Sequence, residues 1–214
     1  MVEWRRDRTG RFEEYPHLEP GEIDSQCESM VRSFLAKRRG VVFPITTDEL
    51  AVLIEQLVDD LDHAATLPDD IEGRTLFAPA GKPSVEINSN LQAPHYSNRL
   101  RTTLAHELGH VVLHNFMWAF VPLNTARQPV CNRDAMFEAG PLDWMEWQAG
   151  YASCSFLIPK GPLEKVVGRA SNQWLPADSD PALKMITDVC GAFEVSEQAA
   201  RYRLTKLTYL MPRS

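Results

Sequence analysis

Two segments near the start of the chain carry apolar residues at helical spacing. In the first, residues 22–38, apolar positions fall three and four apart, and Gly40 follows the last of them. In the second, Thr47-Asp48 precedes an apolar stripe that extends to Leu61, and a threonine or aspartate at this place is typical of a helix N-cap. The pattern therefore predicts one helix over Glu22–Arg38 and a second helix that runs to Leu61.

Strand patterns occupy the next part of the chain. Arg74–Ala78 and Ser84–Asn88 are short, and the Pro and Gly residues between them predict a turn. In the second segment Val85 and Ile87 alternate with polar neighbours, which is typical of a half-buried strand. Two short strands are therefore expected between helical regions.

Helical patterns resume after the strands and dominate the rest of the chain. They cover about 98–115, about 143–157, and the tail after residue 181. Many helices with few short strands indicate an α+β fold, in which a small antiparallel or mixed sheet packs with helices. We predict three parts: a polar N-terminal arm over residues 1–20, a main domain over 21–165, and a helical module over 166–214 packed on it.

Charge narrows the possible functions. The chain has 214 residues and a formal net charge of −7, and this acidic balance argues against binding nucleic acid through the whole surface. Nine acidic residues and no Lys or Arg lie between Asp48 and Glu72. We interpret them as a solvated face rather than as a docking surface for a basic partner.

Composition also predicts the compartment. No apolar run reaches the roughly 20 residues that span a bilayer, and the N-terminus is charged where a signal peptide would be apolar. The four cysteines are widely spaced, which is typical of reduced thiols rather than of a disulfide framework. We therefore expect a cytoplasmic protein without a membrane segment.

The most informative segment is His106-Glu107-Leu108-Gly109-His110, within the third predicted helix. Residues four apart lie on one face of a helix, so both imidazoles can reach one metal ion. Two neutral imidazoles and one carboxylate suit Zn²⁺ and leave a fourth position for water. Glu107 lies beside this face, placed to take a proton from that water. The pattern predicts a site for one Zn²⁺ with Glu107 as catalytic base.

The third ligand must come from another segment. His114 continues the four-residue spacing, but it lies eight positions after His106, about 12 Å along a straight helix. One zinc ion cannot lie within about 2 Å of both side chains. We therefore expect His114 at the helix end or beside a ligand.

Three carboxylates near the next helix remain as candidates: Glu138, Asp143 and Glu146. Glu146 is followed by the small residues Ala149, Gly150, Ala152 and Ser153. Small residues let one helix approach another closely, and a short Glu side chain needs that approach to reach the metal. This favours Glu146, whereas Asp143 suits a helix N-cap.

These two helices resemble the hallmarks of the ImmA/IrrE family of zinc metallo-endopeptidases. Leu100–His114 resembles its arginine-bearing helix start, its His-Glu-x-Gly-His-type core and its trailing Leu-His. Glu146–Pro159 is similar to its second motif, with Gly150 where Asn is usual and Ala152 where Phe is usual. The strand Ser84–Asn88 matches the family's strand ending in Asn.

The resemblance covers about residues 22–210 and implies a zincin-like metallopeptidase domain with a helix-turn-helix-like C-terminal segment. Carried over residue by residue, it implies His106, His110 and Glu146 as zinc ligands and Glu107 as catalytic base. It also implies an endopeptidase that acts on a specific protein. That substrate is expected to be a helix-turn-helix repressor, cleaved to derepress mobile-element or stress genes.

Several neighbouring residues are candidates for supporting roles. Tyr96 and His95 precede the active helix and, with His114, could stabilise the transition state or support the site. Val85, Ile87 and Asn88 belong to a strand to which an extended substrate could add by main-chain pairing.

Two other functions are weighed against the enzyme. One is a regulatory binding module that keeps the site without turnover. The other is a DNA-binding regulator that uses the basic tail residues Arg201, Arg203 and Lys206. Because one mildly basic tail on an acidic chain favours a structural helical module, direct nucleic-acid binding is not expected.

Overall fold

The computed structural model describes residues 3–120, 130–132, 143–168 and 174–212. Over these ranges the protein is α+β, as predicted. The helices are α1 Pro20–Arg38, α2 Thr47–Glu55, α3 Ser97–Leu113, α4 Trp144–Leu157, α5 Lys160–Val167, α6 Asp180–Phe193 and α7 Glu197–Lys206. The strands are β1 Glu3–Arg6, β2 Glu14–His17, β3 Asp60–Ala65, β4 Gly73–Leu76, β5 Ser84–Asn88 and β6 Val130–Asn132. Within the described ranges, every helix is too short or too polar to cross a membrane.

The prediction for α2 is one residue late at its start, where the N-cap is Thr46 and not Thr47 or Asp48, and wrong at its end. Its N-cap is Thr46, whose hydroxyl accepts from the Glu49 amide while the Glu49 carboxylate accepts from the Thr46 amide. This reciprocal capping box satisfies two backbone donors that the first helical turn leaves open. The helix ends at Glu55, however, and does not extend to Leu61.

Leu61 belongs to β3, which the sequence did not predict. The exposed side chains of Asp60 and Asp62 alternate with half-buried neighbours along this strand, but the helical stripe before it hides the alternation. β3 pairs in parallel with β5, and this long-range partner supplies hydrogen bonds that a local pattern cannot show.

The four-stranded sheet has the order β3-β5-β4-β6. β5 runs parallel to β3 and antiparallel to β4, and β6 runs antiparallel to β4, so the sheet is mixed. β5 therefore has a partner on both sides, and Val85 and Ile87 on it are fully buried. This corrects the expectation that Val85, Ile87 and Asn88 form a strand open to a substrate, because both edges of β5 already pair with protein.

The N-terminal arm is also ordered, since β1 and β2 form an antiparallel pair. Between them Asp7 is buried and accepts hydrogen bonds from the Phe12 amide, from Thr9 and from the Trp144 indole. Burial alone would raise the pKa of Asp7, but these hydrogen bonds outweigh it and hold the pKa below its ordinary value. Tyr15 stacks on Trp144 with ring centroids 4.4 Å apart, so the arm is tied to the start of α4.

The chain divides into two compact units that are discontinuous in sequence. The first consists of Met1–Ile23 and Thr46–Ser153, and the second of Asp24–Ile45 and Cys154–Ser214. In the first unit α3 packs against α2, β4 and β5. Most of α1 therefore belongs to the same unit as the C-terminal helices. The predicted division into residues 21–165 and 166–214 separates them.

The second unit contains a buried ion pair between α1 and α7. The guanidinium of Arg203 lies 2.6 Å from the Asp24 carboxylate, and both side chains are almost fully buried. The Ser155 hydroxyl donates to Asp24 at 2.7 Å, and Nε of Arg203 donates to the Ile158 carbonyl at 3.0 Å. Additional hydrogen bonds of this kind are what make a buried pair tolerable.

Removing one partner of this pair should destabilise the protein strongly. We expect Asp24→Ala to lower the free energy of unfolding by about 3–5 kcal/mol, because it leaves the Arg203 charge buried without its carboxylate. The matched control is Asp188→Ala, which removes an exposed pair with Lys184 and should cost about 0.5 kcal/mol or less. Urea unfolding of both variants checks this, and similar losses in the two would contradict it.

Candidate metal centre

The two motif histidines lie in the most buried part of α3. Every residue from Thr103 to Val111 is buried, although ordinary amphipathic helices expose one face. His106 and His110 are one turn apart, with ring centroids separated by 4.8 Å and the ring planes at 73°. The predicted pair of imidazoles on one helix face is therefore present.

Glu146, in the first turn of α4, completes the group. Its Oε2 lies 3.1 Å from His106 Nε2 and its Oε1 lies 3.3 Å from His110 Nε2. The two Nε2 atoms are 3.1 Å apart. Burial alone would raise the pKa of Glu146, but the neighbouring His110 and His106 outweigh it and hold the pKa well below its ordinary range. The group thus contributes an ionised carboxylate.

This geometry suits one metal ion. His106, His110 and Glu146 each offer one ligand atom, and these atoms lie within 4.8 Å of one another. Tetrahedral ligands bonded to one ion at about 2.0–2.2 Å are about 3.3 Å apart, close to the three separations above. Two imidazole nitrogens and a carboxylate can therefore hold one ion.

Small residues let Glu146 reach the histidines, as predicted. A methyl group on Gly109 would lie 3.0 Å from Ala149 Cα, 3.1 Å from the Ala149 carbonyl oxygen and 3.3 Å from Ala152 Cβ. The backbones of α3 and α4 are thus nearly in contact one turn after Glu146. Because the carboxylate is on a short side chain, this approach is what brings it to the imidazoles.

The other two carboxylate candidates have different outcomes. Asp143 forms a two-pronged ion pair with Arg11 at 2.7 Å, and its carboxylate accepts from the Glu146 amide at 3.4 Å. This placement is that of a residue at the start of a helix. Glu138 lies outside the described residues.

His114 contacts a candidate ligand and is not itself part of the three-residue group. Its Nδ1 lies 3.0 Å from His110 Nδ1, and its Nε2 lies 3.1 Å from Gln148 Oε1. The Gln148 amide nitrogen in turn donates to the Pro16 carbonyl at 3.1 Å. A hydrogen-bonded chain therefore connects a candidate ligand to the backbone of β2.

This chain fixes where the protons lie. The Pro16 carbonyl can only accept, so the Gln148 amide nitrogen must face it and the amide oxygen must face His114. His114 Nε2 consequently carries the hydrogen. Burial, together with the neighbouring His110, lowers the pKa of His114 well below its ordinary range, so the ring is neutral and its Nδ1 accepts from His110. This leaves a lone pair on His110 Nε2, as a metal ligand requires.

Glu107 is held by β4, a contact that the motif alone does not predict. The buried Thr75 hydroxyl donates to Glu107 Oε2 at 2.7 Å. Gly73, two residues earlier on the same strand face, leaves room for the carboxylate, because a Cβ there would lie 3.0 Å from Glu107 Oε1. The alternation of residues along a strand places Gly73 and Thr75 on one face, which the sequence shows. Nothing in the sequence indicates that this face packs against α3.

The residues predicted upstream do not reach the metal group. His95 and Tyr96 form a short 3-10 turn with Pro94 just before α3. Tyr96 is ten positions before His106, about 15 Å along a helix axis, too far for either side chain to touch a carbonyl there. Asn88 also has a structural role, because its amide nitrogen donates to the carbonyls of Leu67, Pro68 and Ile71.

The basic tail residues are mostly engaged within the second unit. Arg203 is fully buried against Asp24. Arg201 has a side chain that is 16% exposed, and it contacts Glu197 and the Ala177 carbonyl. Ser196 caps α7, since its hydroxyl accepts from the Ala199 amide. A phosphate-binding role for Arg203 is therefore excluded by its burial.

Comparison with known proteins gives no assignment. No protein-family model matches the chain. No curated protein matches its sequence. The function has to be inferred from the residues of the site and from the likeness of its motifs.

Gly109→Ala should disturb the metal group without altering a ligand. The new methyl group must push against the α4 backbone, so we expect a loss of about 1–3 kcal/mol in the free energy of unfolding and weaker Zn²⁺ binding. Gly191→Ala, in α6 with no neighbour within 4 Å of the added carbon, should stabilise the protein by about 0.5–1 kcal/mol. Thermal unfolding and zinc titration measure both, and unchanged zinc affinity in Gly109→Ala would refute the role of close packing.

Gln148→Ala should weaken metal binding from outside the ligand group. It removes the acceptor that orients His114, and loss of such a supporting hydrogen bond typically lowers metal affinity about 10- to 100-fold. Competition with a chromophoric zinc chelator measures the affinity. Gln56→Ala, at an exposed position after α2, is the control and should bind zinc as the wild type does. Equal affinities in the two variants would show that the hydrogen-bonded chain does not support the metal.

Proposed function

We propose that this chain is a zinc-dependent endopeptidase with a zincin-like domain, of the kind found in the ImmA/IrrE family. The observation that carries the proposal is the convergence of His106, His110 and Glu146, with the Glu107 carboxylate on the same helix turn. Two imidazoles and one carboxylate are a ligand set used by catalytic zinc sites, which keep one position open. The likeness of both motif helices to that family supports the same conclusion.

The residues of the chain would divide the reaction between them. His106, His110 and Glu146 would hold the ion. A bound zinc ion supplies Lewis acidity, which lowers the pKa of water and polarises a peptide carbonyl. Glu107, whose carboxylate accepts the Thr75 hydroxyl at Oε2, would take a proton from water and pass it to the leaving amine. A positioned general base of this kind contributes about 10²- to 10⁴-fold in rate.

The proposed substrate is a specific protein, a helix-turn-helix transcriptional repressor whose cleavage would release mobile-element or stress genes. This part comes from the likeness of the motifs to the ImmA/IrrE family. It agrees with a net charge of −7, since an acidic protein that acts on a DNA-bound regulator has no electrostatic attraction to the DNA itself.

Metal content tests the ligand assignment. We expect about one zinc per wild-type chain and strongly reduced zinc in Glu146→Ala, because two histidines alone leave the ion without its charged ligand. Glu164→Ala, at an exposed position on α5, is the control and should retain zinc. Elemental analysis after dialysis gives the stoichiometry. Full zinc in Glu146→Ala would remove this residue from the ligand group.

Turnover is tested with Glu107→Gln, which keeps the size of the side chain but removes its basicity. Zinc-loaded wild type should cleave a co-expressed helix-turn-helix repressor at a defined bond, and Glu107→Gln should retain zinc while losing at least about 100-fold in rate. Mass spectrometry of new termini identifies the cleaved bond. Equal cleavage by both proteins would contradict the proposed role of Glu107. If Glu107→Gln still relieves repression in cells without cleaving the repressor, the protein is instead a binding module.

A further inference from the structure

A cavity of about 390 Å³ lies in the first unit beside the start of α3. Its walls include Ile71, Leu91 and Tyr96, which offer apolar surface, and the charged residues Asp69, Glu72 and Arg99. None of the functions assigned above uses this cavity. Its volume lies in the range of small binding sites. Polar and charged residues make up most of its lining, and Ile71, Leu91 and Tyr96 supply the apolar part.

Most of the polar groups around the cavity are already paired. The Glu72 carboxylate accepts from Thr103 Oγ1 at 2.9 Å and also forms an ion pair with Arg99. Arg99 also lies over the Tyr96 ring, 5.9 Å from its centroid. Because Glu72 and Arg99 compensate each other's charge, they give the cavity little preference for an ion.

Asp69 has a different environment. The neighbour that the structure gives its carboxylate is the neutral amide nitrogen of Asn90, at 3.1 Å, and no Lys or Arg in the described part of the chain forms an ion pair with it. An exposed, uncompensated carboxylate beside the apolar surface of Ile71, Leu91 and Tyr96 suits a cation on an aliphatic stem, since each part of such a ligand finds a matching surface.

We propose that this cavity binds the side chain of a lysine or arginine of the peptide substrate. The aliphatic stem lies along Ile71, Leu91 and the Tyr96 ring, and the cationic group pairs with Asp69. This assignment of the ligand to a substrate chain rests on the proposed endopeptidase function.

Position along α3 supports a substrate role. Arg99 lies seven positions before His106, about 10 Å along the helix axis. An extended peptide advances about 3.3 Å per residue, so a substrate at the metal group would bring a side chain about three residues from the cleaved bond to this cavity. The proposal therefore includes a preference for a basic residue about three residues from the cleaved bond.

Binding of small probes to the full-length, zinc-loaded protein tests the proposal without a known substrate. Nα-acetyl-lysine methylamide and Nα-acetyl-arginine methylamide should cause saturable NMR shifts at the amides of Ile71 and Asn90. The norleucine analogue, which keeps the stem and lacks the charge, should bind about fivefold more weakly, the factor that corresponds to about 1 kcal/mol.

Two neighbouring acids provide a matched pair of variants. Asp69→Asn should reduce the affinity for the lysine probe about fivefold, to that of the norleucine analogue. Asp70→Asn removes the adjacent exposed acid, which does not line the cavity, and should leave the affinity unchanged. Equal losses of affinity in both variants would overturn the proposal, because they would show that the probe responds to the general negative charge of this segment and not to Asp69.

Two further outcomes would also overturn the proposal. One is tighter binding of Nα-acetyl-glutamate methylamide than of the lysine probe, which would assign the site to Arg99. The other is an affinity for the lysine probe that Asp69→Asn does not alter. Zinc stoichiometry measured on the same samples tests the proposed function separately. Stoichiometric zinc without Asp69-dependent binding would therefore remove this cavity's role and leave the metal site standing. A protein that takes up no zinc on loading but binds the lysine probe through Asp69 would instead count against the proposed endopeptidase and leave the cavity as a binding site.

Discussion

The near contact of the α3 and α4 backbones is the constraint on which the candidate site depends. Glu146 can place its two oxygens 3.1 Å and 3.3 Å from the histidine nitrogens only because Gly109 has no side chain to separate the helices. Close packing leaves little freedom for adjustment, since interiors are as dense as organic crystals. The ligand geometry is therefore a property of the interface between the helices and not of Glu146 alone.

The side chains around the candidate metal ligands are held by hydrogen bonds from several elements. Pro16 on β2 orients Gln148, which orients His114, which sets the tautomer of His110. On the other side Thr75 of β4 holds the Glu107 carboxylate. Groups from β2, α4 and β4 thus orient four side chains, Gln148, His114, His110 and Glu107, before any ligand binds.

The charged side chains of this protein differ in function according to their neighbours. Arg203 forms a buried ion pair with Asp24, so it supports the second unit instead of facing a partner. Within the acidic segment, Glu72 is buried and compensated by Arg99 while Asp69 is exposed beside a cavity. The same residue type therefore supports packing at one position and a proposed specificity at another, because the neighbours decide which.

The sequence by itself determined the pair His106 and His110, the helix that carries them, and the preference for Glu146, because these depend on a helical period of 3.6 residues and on small side chains that sequence displays directly. Only the tertiary structure decided that β5 is interior, that Leu61 lies in a strand, and that Thr75 and Gln148 support the site. Each of these depends on pairing between residues far apart in the chain, which no local pattern encodes. Tyr96 precedes α3 and lines the cavity beside its start, and does not lie at the metal group, because the ten positions between it and His106 span about 15 Å along the helix.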